Sequence, residues 1–437
     1  MNTKIGRLFT ATVATIFACG LFTLPVFASA DKSDVIIEWN RLAQQYNSGP
    51  PFSQSRTYAM VHIAMADAVV AIEGDYKPYH AKIQAWHGAS ATAAAAQAAH
   101  DVLVALLPAN QAAFDSALAA RLDKIPPSRR PAGVQVGEEA AEKILAWRQH
   151  DGMAAANPQN PSPFLPSTLP GIWRESSTGP ALFPLFGMVM PFGLLTSTQF
   201  LPIPQPQLES AEYAADFNDV YENGGQISAS RTEEQKTFAL VVAGQPPYFN
   251  VTNPLRLWQN VATDMALADK MSLVDTARLF ALVTASVHDS LQTAHTSKFV
   301  YRLWRPETAV PAADADNNAD TTADLNWKPL LVTPPYPSHA SNMACIATGA
   351  AHMLANILGT DARNFTARWY TAGDSPEILH AKNYGSFFAL AQDVGSSRVW
   401  GGIHFRFEVE ASEDACMQVA DYLFDNYMRP TRKRSHH

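Results

Sequence analysis

The chain of 437 residues is 47% hydrophobic and 16% charged, and this apolar content excludes wholesale disorder because it is sufficient for a packed core. It has no glycine period and no sustained heptad, which excludes collagen-like and coiled-coil proteins. The formal net charge of −8 argues against a nucleic-acid-binding protein, since such proteins normally present a basic face.

The N-terminus has the pattern of a secretory signal peptide. Two basic residues precede an apolar run over residues 8–27, and small residues at 28–30 offer a cleavage site. An uncleaved membrane anchor is the alternative, because the run is close to spanning length, but Pro25 argues against it. We expect residues 1–30 to be removed near Ala30, giving a secreted or periplasmic protein with no stable membrane span in the mature chain.

The following part of the chain is predicted to be helical. Apolar residues recur at intervals of three and four, and the period-two alternation typical of strands is scarce. The predicted helices are 56–72, 91–107, 111–125 and 134–150. We therefore expect an N-terminal helical layer over residues 31–157.

Residues 158–209 are rich in proline and in large apolar side chains. Eleven of the 30 prolines lie between Pro158 and Pro206, a spacing through which no helix can run. A flexible linker would not carry an apolar stretch such as FPLFGMVMPFGLL. We predict a long loop that packs on the helical body and covers part of it.

Residues 210–437 are predicted to form the catalytic helical bundle, so that the whole fold is all-α. Thr232 and Gln235 make a capping box, and a similar pattern at Ser272 opens a long helix. The remaining helices are predicted over 341–358, over 386–394 with an end at Gly395, and over 405–427.

Cys345 and Cys416 are the cysteines that remain after the predicted cleavage. An oxidising compartment would allow a disulfide between them, but a chain of this length does not need one. Both lie in apolar, alanine-containing surroundings, so two buried thiols are the favoured interpretation.

Three stretches in the C-terminal half concentrate polar groups. KFVYRLWRP carries Lys298 and Arg305 seven residues apart, which on one helix would place both cations on the same face. In PYPSHAS, Ser338 precedes a predicted helix and is a natural N-cap, at the helix end that favours anions. In SSRVWGGIHFRFE, Arg398 and His404 flank a glycine pair that would let the backbone approach a ligand closely.

Together these groups suit an oxyanion such as phosphate or vanadate. Arginine binds two oxygens through its fork, lysine adds a point charge, and histidine can serve as nucleophile, metal ligand or proton donor. Each part also has an ordinary interpretation, because a single Lys or Arg is most often solvated and a single His is most often packed in the interior. The residues alone leave both interpretations open.

The order and spacing of the three stretches resemble the vanadium-dependent haloperoxidase and type-2 phosphatidic-acid-phosphatase superfamily. The family pattern of Lys-x6-Arg-Pro, Pro-Ser-(Gly)-His and Ser-Arg-x5-His reads here as Lys298 to Arg305-Pro306, Pro337-Ser338-His339 and Ser397-Arg398 to His404. The likeness extends to RTYAMVHIAMADAV and PPYFNVTNPLRLW, so it covers most of the mature chain, which resembles the secreted bacterial haloperoxidase-like branch. It implies an all-helical fold with the site in a helical bundle.

The resemblance also implies a role for each matching residue. Vanadate, or phosphate in the same site, would be held by three cations and one hydroxyl group, namely Lys298, Arg305, Arg398 and Ser338. His404 would ligate vanadium apically, or attack phosphorus in a phosphatase. Glu408, where many members have Asp, would orient the His404 ring. Glu408 and a bound anion are expected to raise the pKa of His404 above about 6.5.

One departure from the family pattern concerns His339, the candidate general acid–base. The family usually has Gly between Ser and His, whereas His339 follows Ser338 directly. Either a glycine is deleted, or His339 occupies the glycine position and Ala340 that of the histidine. His288 and His295 on the preceding helix are alternative candidates, although packing in the interior is the commoner role of such residues.

We therefore expect an oxidoreductase that uses vanadate and hydrogen peroxide to oxidise halide. A first alternative is a secreted acid phosphatase that hydrolyses small phosphoesters through a phosphohistidine at His404. A second is an inactive helical homologue with a binding role. The long N-terminal helical region and the lack of a cluster of apolar spanning segments favour the haloperoxidase over a lipid phosphatase.

Overall fold

The computed structural model describes residues 34–156, 167–175, 179–372 and 376–431. Residues 32–437 belong to one compact unit. The predicted signal peptide lies outside the described residues. The predicted boundaries after residues 157 and 209 stay predictions.

The described part of the chain is mostly helical, which confirms the predicted fold class. Its α-helices are α1 Asp34–Tyr46, α2 Pro51–Glu73, α3 Ala91–Leu106, α4 Gln111–Leu122, α5 Arg130–Arg148, α6 Ala211–Gly224, α7 Glu233–Ala243, α8 Pro254–Ala268, α9 Leu273–Tyr301, α10 Pro306–Ala309, α11 Asn342–Leu358, α12 Phe387–Trp400 and α13 Arg406–Asn426. The capping box at Thr232 is present at the start of α7, and the Ser272 hydroxyl caps α9.

The predicted helix end at Gly395 is wrong, because α12 continues to Trp400. A Cβ atom at position 395 would lie 2.7 Å from Cγ1 of Val409, so the glycine lets α13 pack closely against α12. The residue therefore serves helix packing and not helix termination.

A two-stranded antiparallel sheet was not predicted. It pairs β1 Ala362–Tyr370 with β2 Ile378–Ser386, in a register that sets Phe365 opposite Tyr384. Ala367 and Trp369 on alternate positions of β1 are each 1% exposed. This short alternation in ARNFTARWY is a period-two signal that the sequence does contain.

The long helix α9 lies at the centre of the core. It is buried along almost its whole length, and α2, α8, α11 and α13 pack around it. A helix surrounded on all sides is normally apolar, yet α9 carries twelve buried polar or charged residues. It thus brings polar groups into the interior, and its last turn carries Lys298.

Cys345 of α11 and Cys416 of α13 form a disulfide, with their Cα atoms 5.3 Å apart. The expectation of two buried thiols is therefore wrong. The two helices pack side by side, and this brings the cysteines into the range that a disulfide requires.

The described residues of the proline-rich segment contain no α-helix and pack on α9, as predicted for a long loop. The Asp289 carboxylate accepts hydrogen bonds from the backbone N–H groups of Phe192, Gly193 and Leu194 at 2.7–2.9 Å. Phe186 and Phe192 are buried in the core. The loop is therefore fastened to the central helix by both polar and apolar contacts.

Within the described ranges, no single helix is both long and apolar enough to cross a membrane. The helix pair Ala91–Leu106 and Pro108–Leu122 meets the length and composition criteria jointly, with a bend of 120° between its halves.

Candidate functional site

Lys298 and Arg305 reach one site from two different helices. Helix α9 ends at Tyr301, and Arg302 turns the chain with a φ of +57°, so Arg305 lies beyond the helix, at the start of α10. The prediction that both cations share one helix face is therefore wrong. They nevertheless lie close together, because both side chains approach the ring of Tyr336.

Ser338 does not cap the following helix. Helix α11 begins at Asn342, and Ser341 is its N-cap, accepting from the backbone N–H of Ala344. The backbone N–H of Ser338 donates to the Leu303 carbonyl at 2.9 Å, which ties this stretch to the chain after α9. The hydroxyl of Ser338 is thereby left to interact with side chains of the site.

The glycine pair before His404 is required by chain packing. A Cβ atom on Gly401 would lie 2.3 Å from Leu331, and one on Gly402 would lie 2.3 Å from the carbonyl oxygen of Gly224. Gly402 also has a φ of +75°. The glycine pair therefore permits close packing of three chain segments, and the expectation that it serves ligand approach stays a prediction.

The Lys298 ammonium is fully buried and bonded to carbonyl groups. It donates to the Ser338 carbonyl at 2.7 Å and also to the carbonyl of Ala340. Burial, together with the nearby Arg305 guanidinium, holds the pKa of Lys298 well below its usual range. Among the described residues no carboxylate forms an ion pair with this ammonium.

The Arg305 guanidinium is buried and only partly satisfied. Its Nε donates to the Tyr336 carbonyl at 3.0 Å, and its Nη1 donates to the Ile403 carbonyl at 2.7 Å and to Nε2 of His404 at 3.0 Å. Nη2 is buried, and no group in the described ranges accepts a hydrogen bond from it. One strong donor therefore remains for a ligand.

Arg398 extends the cationic group from α12. The Ser397 hydroxyl accepts from its Nε at 3.0 Å and from its Nη2 at 2.9 Å. Arg398 is 2% exposed, and burial lowers its pKa to about 10. It thus stays charged at neutral pH without a carboxylate partner in the described part of the chain.

His404 is held in a defined tautomer by its two neighbours. Nδ1 donates to the Glu408 carboxylate, while Nε2 accepts from Arg305 and so carries the lone pair. Burial and the nearby cations place the pKa of His404 well below 6.5. The expectation of a raised pKa is wrong for this arrangement, because burial lowers the pKa of His404 and the cations Arg305 and Lys298 lower it further.

Glu408 lies in the first turn of α13 and is fully buried. Its carboxylate accepts from the Ser338 hydroxyl at 2.7 Å and from the Phe405 backbone N–H at 3.4 Å, besides the His404 ring. Burial raises its pKa to about 7, against the opposing effects of Arg305 and Lys298.

His339 lies beside this group and faces the proline-rich loop. Its Nε2 donates to the Ile203 carbonyl at 2.7 Å, and its ring contacts those of Tyr301 and Phe407. Nδ1 is buried, with no hydrogen-bond partner among the residues described. Burial lowers the pKa of His339 to about 4, so the ring is neutral at pH 7.

The two alternative histidines of α9 are locked in the interior. His288 hydrogen-bonds the Ser55 hydroxyl at 3.0 Å and packs against Phe192. His295 donates from Nε2 to the Phe183 carbonyl and accepts at Nδ1 from Asn342. His288 belongs to the core, whereas His295 borders the site through its ring contact with Tyr336 at 5.2 Å.

The structure thus brings all of the predicted site residues to one buried region. They are Lys298, Arg305, Ser338, His339, Arg398, His404 and Glu408, and each is at most 4% exposed. Three guanidinium or ammonium groups face a single hydrogen-bonded carboxylate, as far as the described residues extend. Such an excess of buried positive charge is stabilised when an anion is bound.

Tyr336 and Ser397 also contact the cations but were not predicted as site residues. Ser397 was visible in the Ser-Arg pair of the third stretch. Tyr336 lies in PYPSHAS, two residues before Ser338, yet an uncharged aromatic residue carries no signal for an anion site.

Comparison with known proteins identifies a matching domain and a shared fold. Residues 278–433 match the family described as the VCPO second helical-bundle domain. The fold is similar to that of the first bacterial vanadium-dependent iodoperoxidase, with a TM-score of 0.76 and 20% identity over 92% of this chain and 97% of that chain. It is also similar to a holo-type bacterial vanadium-dependent chloroperoxidase, with a TM-score of 0.67 and 16% identity over 92% of this chain and 94% of that chain. No curated protein matches the sequence significantly. Residues 278–433 thus match the VCPO second helical-bundle domain, and the chain has the helical fold of these vanadium-dependent haloperoxidases.

Proposed function

We propose that the chain is a vanadium-dependent haloperoxidase that uses hydrogen peroxide to oxidise halide. The observation that carries the proposal is the buried group of Lys298, Arg305 and Arg398 around His404, with Nη2 of Arg305 lacking an acceptor among the described residues. The names of the similar structures, an iodoperoxidase and a chloroperoxidase, favour the oxidation of halide over other oxyanion chemistry.

The residues present fit vanadate. A trigonal or tetrahedral oxyanion has several oxygens, and Arg305, Arg398 and Lys298 offer charge-assisted donors to them. The lone pair on Nε2 of His404 is what a metal ligand requires, and it is available because Nδ1 carries the proton. Bound vanadate would supply the centre at which peroxide and halide react.

The protein's own contribution would be electrostatic and geometric. Three cations fixed in a buried site neutralise an oxyanion without the reorganisation that water would need. Binding at His404 would replace the present hydrogen bond between its Nε2 and Nη1 of Arg305, and would leave that guanidinium free to hold an oxygen. Glu408 would keep the His404 ring in place throughout.

We propose His339 as the residue that accepts and returns a proton during turnover. Its Nδ1 is buried and unpaired within the described ranges, and a neutral imidazole can take up a proton there. The hydrogen bond from Nε2 to Ile203 would fix the ring and would make the loop part of the site.

The second candidate function, a phosphatase, is favoured by one feature of His404. A neutral imidazole whose Nε2 carries the lone pair is equally what a histidine nucleophile needs, and phosphate has the charge and shape of vanadate. The same cations would hold it.

Activity assays with and without vanadate separate the two functions. We expect the purified protein to oxidise iodide or bromide with hydrogen peroxide only after vanadate is added, and phosphate to inhibit competitively because both anions use one site. Hydrolysis of p-nitrophenyl phosphate that vanadate abolishes, without any oxidation of halide, would establish the phosphatase instead.

We also propose that the chain is exported. The disulfide between Cys345 and Cys416 supports this, because such bonds persist in oxidising compartments. Expression of the full chain followed by N-terminal sequencing of the exported protein is expected to give a mature start after Ala30. A protein that is retained with its first 30 residues would contradict the proposal.

A further inference from the structure

The Tyr336 ring lies under two of the three cations. Nζ of Lys298 is 5.3 Å from the ring centroid, and Cζ of Arg305 is 5.2 Å from it. Both distances are within the range of about 6 Å at which a cation is attracted by the negative face of an aromatic ring. One uncharged side chain therefore contacts both cations.

The ring is held firmly in this position. The Tyr336 carbonyl accepts from Nε of Arg305, and its hydroxyl lies beside the Asn342 side chain. The ring packs in an apolar cluster with Trp173, Ala181 and Phe299. The backbone hydrogen bond and the packing of the ring thus fix its orientation relative to the cations.

An aromatic ring suits this position better than an acid would. Two buried cations repel each other and lose their hydration, so each needs a compensating partner. A carboxylate would supply one, but it would also cancel the charge that attracts an oxyanion. The π face stabilises the cations and leaves their full charge for the ligand.

We infer that Tyr336 is a positioning residue of the anion site, and that its ring holds Lys298 and Arg305 as charged donors directed to a bound oxyanion. The inference rests on the proposed function, because it assumes that the cations bind vanadate or phosphate. It assigns the role to the π system of Tyr336 and not to its hydroxyl group.

Two substitutions separate the ring from the hydroxyl. Tyr336→Phe keeps the ring, and Tyr336→Leu removes it while it preserves an apolar side chain. Tyr46→Leu is the matched control, because Tyr46 packs on Phe114 in the N-terminal helices. Binding of orthovanadate and of inorganic phosphate is measured by calorimetry with each full-length protein.

We expect Tyr336→Leu to lower the affinity for both anions at least about tenfold. The affinities of Tyr336→Phe and Tyr46→Leu should stay within about threefold of that of the wild type. The pH profile is a second readout. Burial already lowers the pKa of Lys298, and loss of the ring lowers it further, so Tyr336→Leu should lose phosphate affinity at a lower pH than the wild type. The ionisation of phosphate is the same for all variants, so it does not affect the difference between their pH profiles.

Each alternative result has a distinct meaning. If the wild type binds neither anion, the proposed function fails and the inference fails with it. If the wild type binds but Tyr336→Leu binds equally well, or Tyr336→Phe binds as weakly as Tyr336→Leu, the inference is overturned while the proposed function stands.

Should Tyr336→Leu fail to fold, pentafluorophenylalanine at position 336 provides the test, because it keeps the ring shape and reverses its quadrupole. We expect weak binding there as well, and unchanged binding would overturn the inference.

Discussion

Ser338 donates its hydroxyl proton to Glu408, with Oγ at 2.7 Å from Oε1 and 2.9 Å from Oε2 of the carboxylate. The same carboxylate receives Nδ1–H of His404. One acid therefore couples the serine of the second stretch to the histidine of the third. A hydroxyl group has a single proton, so Ser338 can donate to an oxyanion only when it gives up its bond to Glu408.

Glu408→Gln is predicted to separate anion binding from turnover. The neutral amide accepts a weaker hydrogen bond than a carboxylate, and its NH2 group replaces one of the two acceptor oxygens, so the His404 ring is held less firmly. We expect halide oxidation to fall at least about tenfold, as is typical for the loss of such an outer partner. Phosphate affinity should stay equal or become tighter, because the cations remain and a negative charge is removed.

Glu410→Gln is the control for this change, since Glu410 is exposed on the same helix. Steady-state kinetics and calorimetry on the three proteins give the comparison. Unchanged turnover in Glu408→Gln would show that Glu408 does not orient the His404 ring.

The pH dependence of stability should also report on Glu408. Its pKa rises from 4.5 to about 7 on folding, so the folded state keeps a proton that the unfolded state releases. The stabilisation is fully present below pH 4.5 and is lost as the pH rises to about 7, by an amount on the order of 2–3 kcal/mol. The Glu408→Gln variant has no titrating group at this position, so its stability should not show this loss with rising pH.

Urea denaturation at pH 4.5, 6.0 and 7.5 in phosphate-free buffer measures the effect. The unfolding free energy of the wild type is expected to fall relative to that of Glu408→Gln across this range, since all other titrating groups are shared. Parallel curves for the two proteins would mean that Glu408 has an ordinary pKa in the folded state.

The sequence was sufficient for the fold class and for naming residues that the structure brings together in one buried region. Helical periodicity marks α2 and α3, the capping pattern at Ser272 marks the start of α9, and the candidate site residues are polar or charged groups in a specific order. Neither signal depends on how the helices pack.

Features that depend on packing were not predicted. Gly395 resembles a helix end in the sequence, but it lies inside α12 because α13 approaches there. Spacing alone placed Lys298 and Arg305 on one helix, whereas the turn at Arg302 separates them. The disulfide depends on the distance between α11 and α13, which local sequence does not encode.

Arg398→Ala is predicted to weaken anion binding at least about tenfold. The loss of a charge-assisted hydrogen bond in a buried site costs about 1.5–3 kcal/mol, and each factor of ten corresponds to about 1.4 kcal/mol. Arg398→Lys keeps the charge but loses the fork, so its affinity should be intermediate. Phosphate binding by calorimetry is the measurement.

Arg363→Ala serves as the control, because Arg363 forms a partly exposed ion pair with Asp269. Its phosphate affinity is expected to equal that of the wild type. Equal phosphate affinities in Arg398→Ala and Arg363→Ala would show that Arg398 does not bind the anion.

The last prediction distinguishes the two histidines of the site. His404→Ala should abolish turnover, because it removes the Nε2 lone pair, yet it should keep measurable phosphate affinity because Lys298, Arg305 and Arg398 remain. His339→Ala should leave phosphate affinity unchanged and lower the rate, since a missing proton carrier slows turnover by about 10²–10⁴.

His339 also anchors the loop through Ile203, and a slow His339→Ala variant alone would not separate proton transfer from loop anchoring. His339→Gln does so, because its amide can donate to the Ile203 carbonyl but cannot carry a proton at neutral pH. We expect His339→Gln to be as slow as His339→Ala. Recovery of the wild-type rate in His339→Gln would show that His339 anchors the loop and does not transfer a proton.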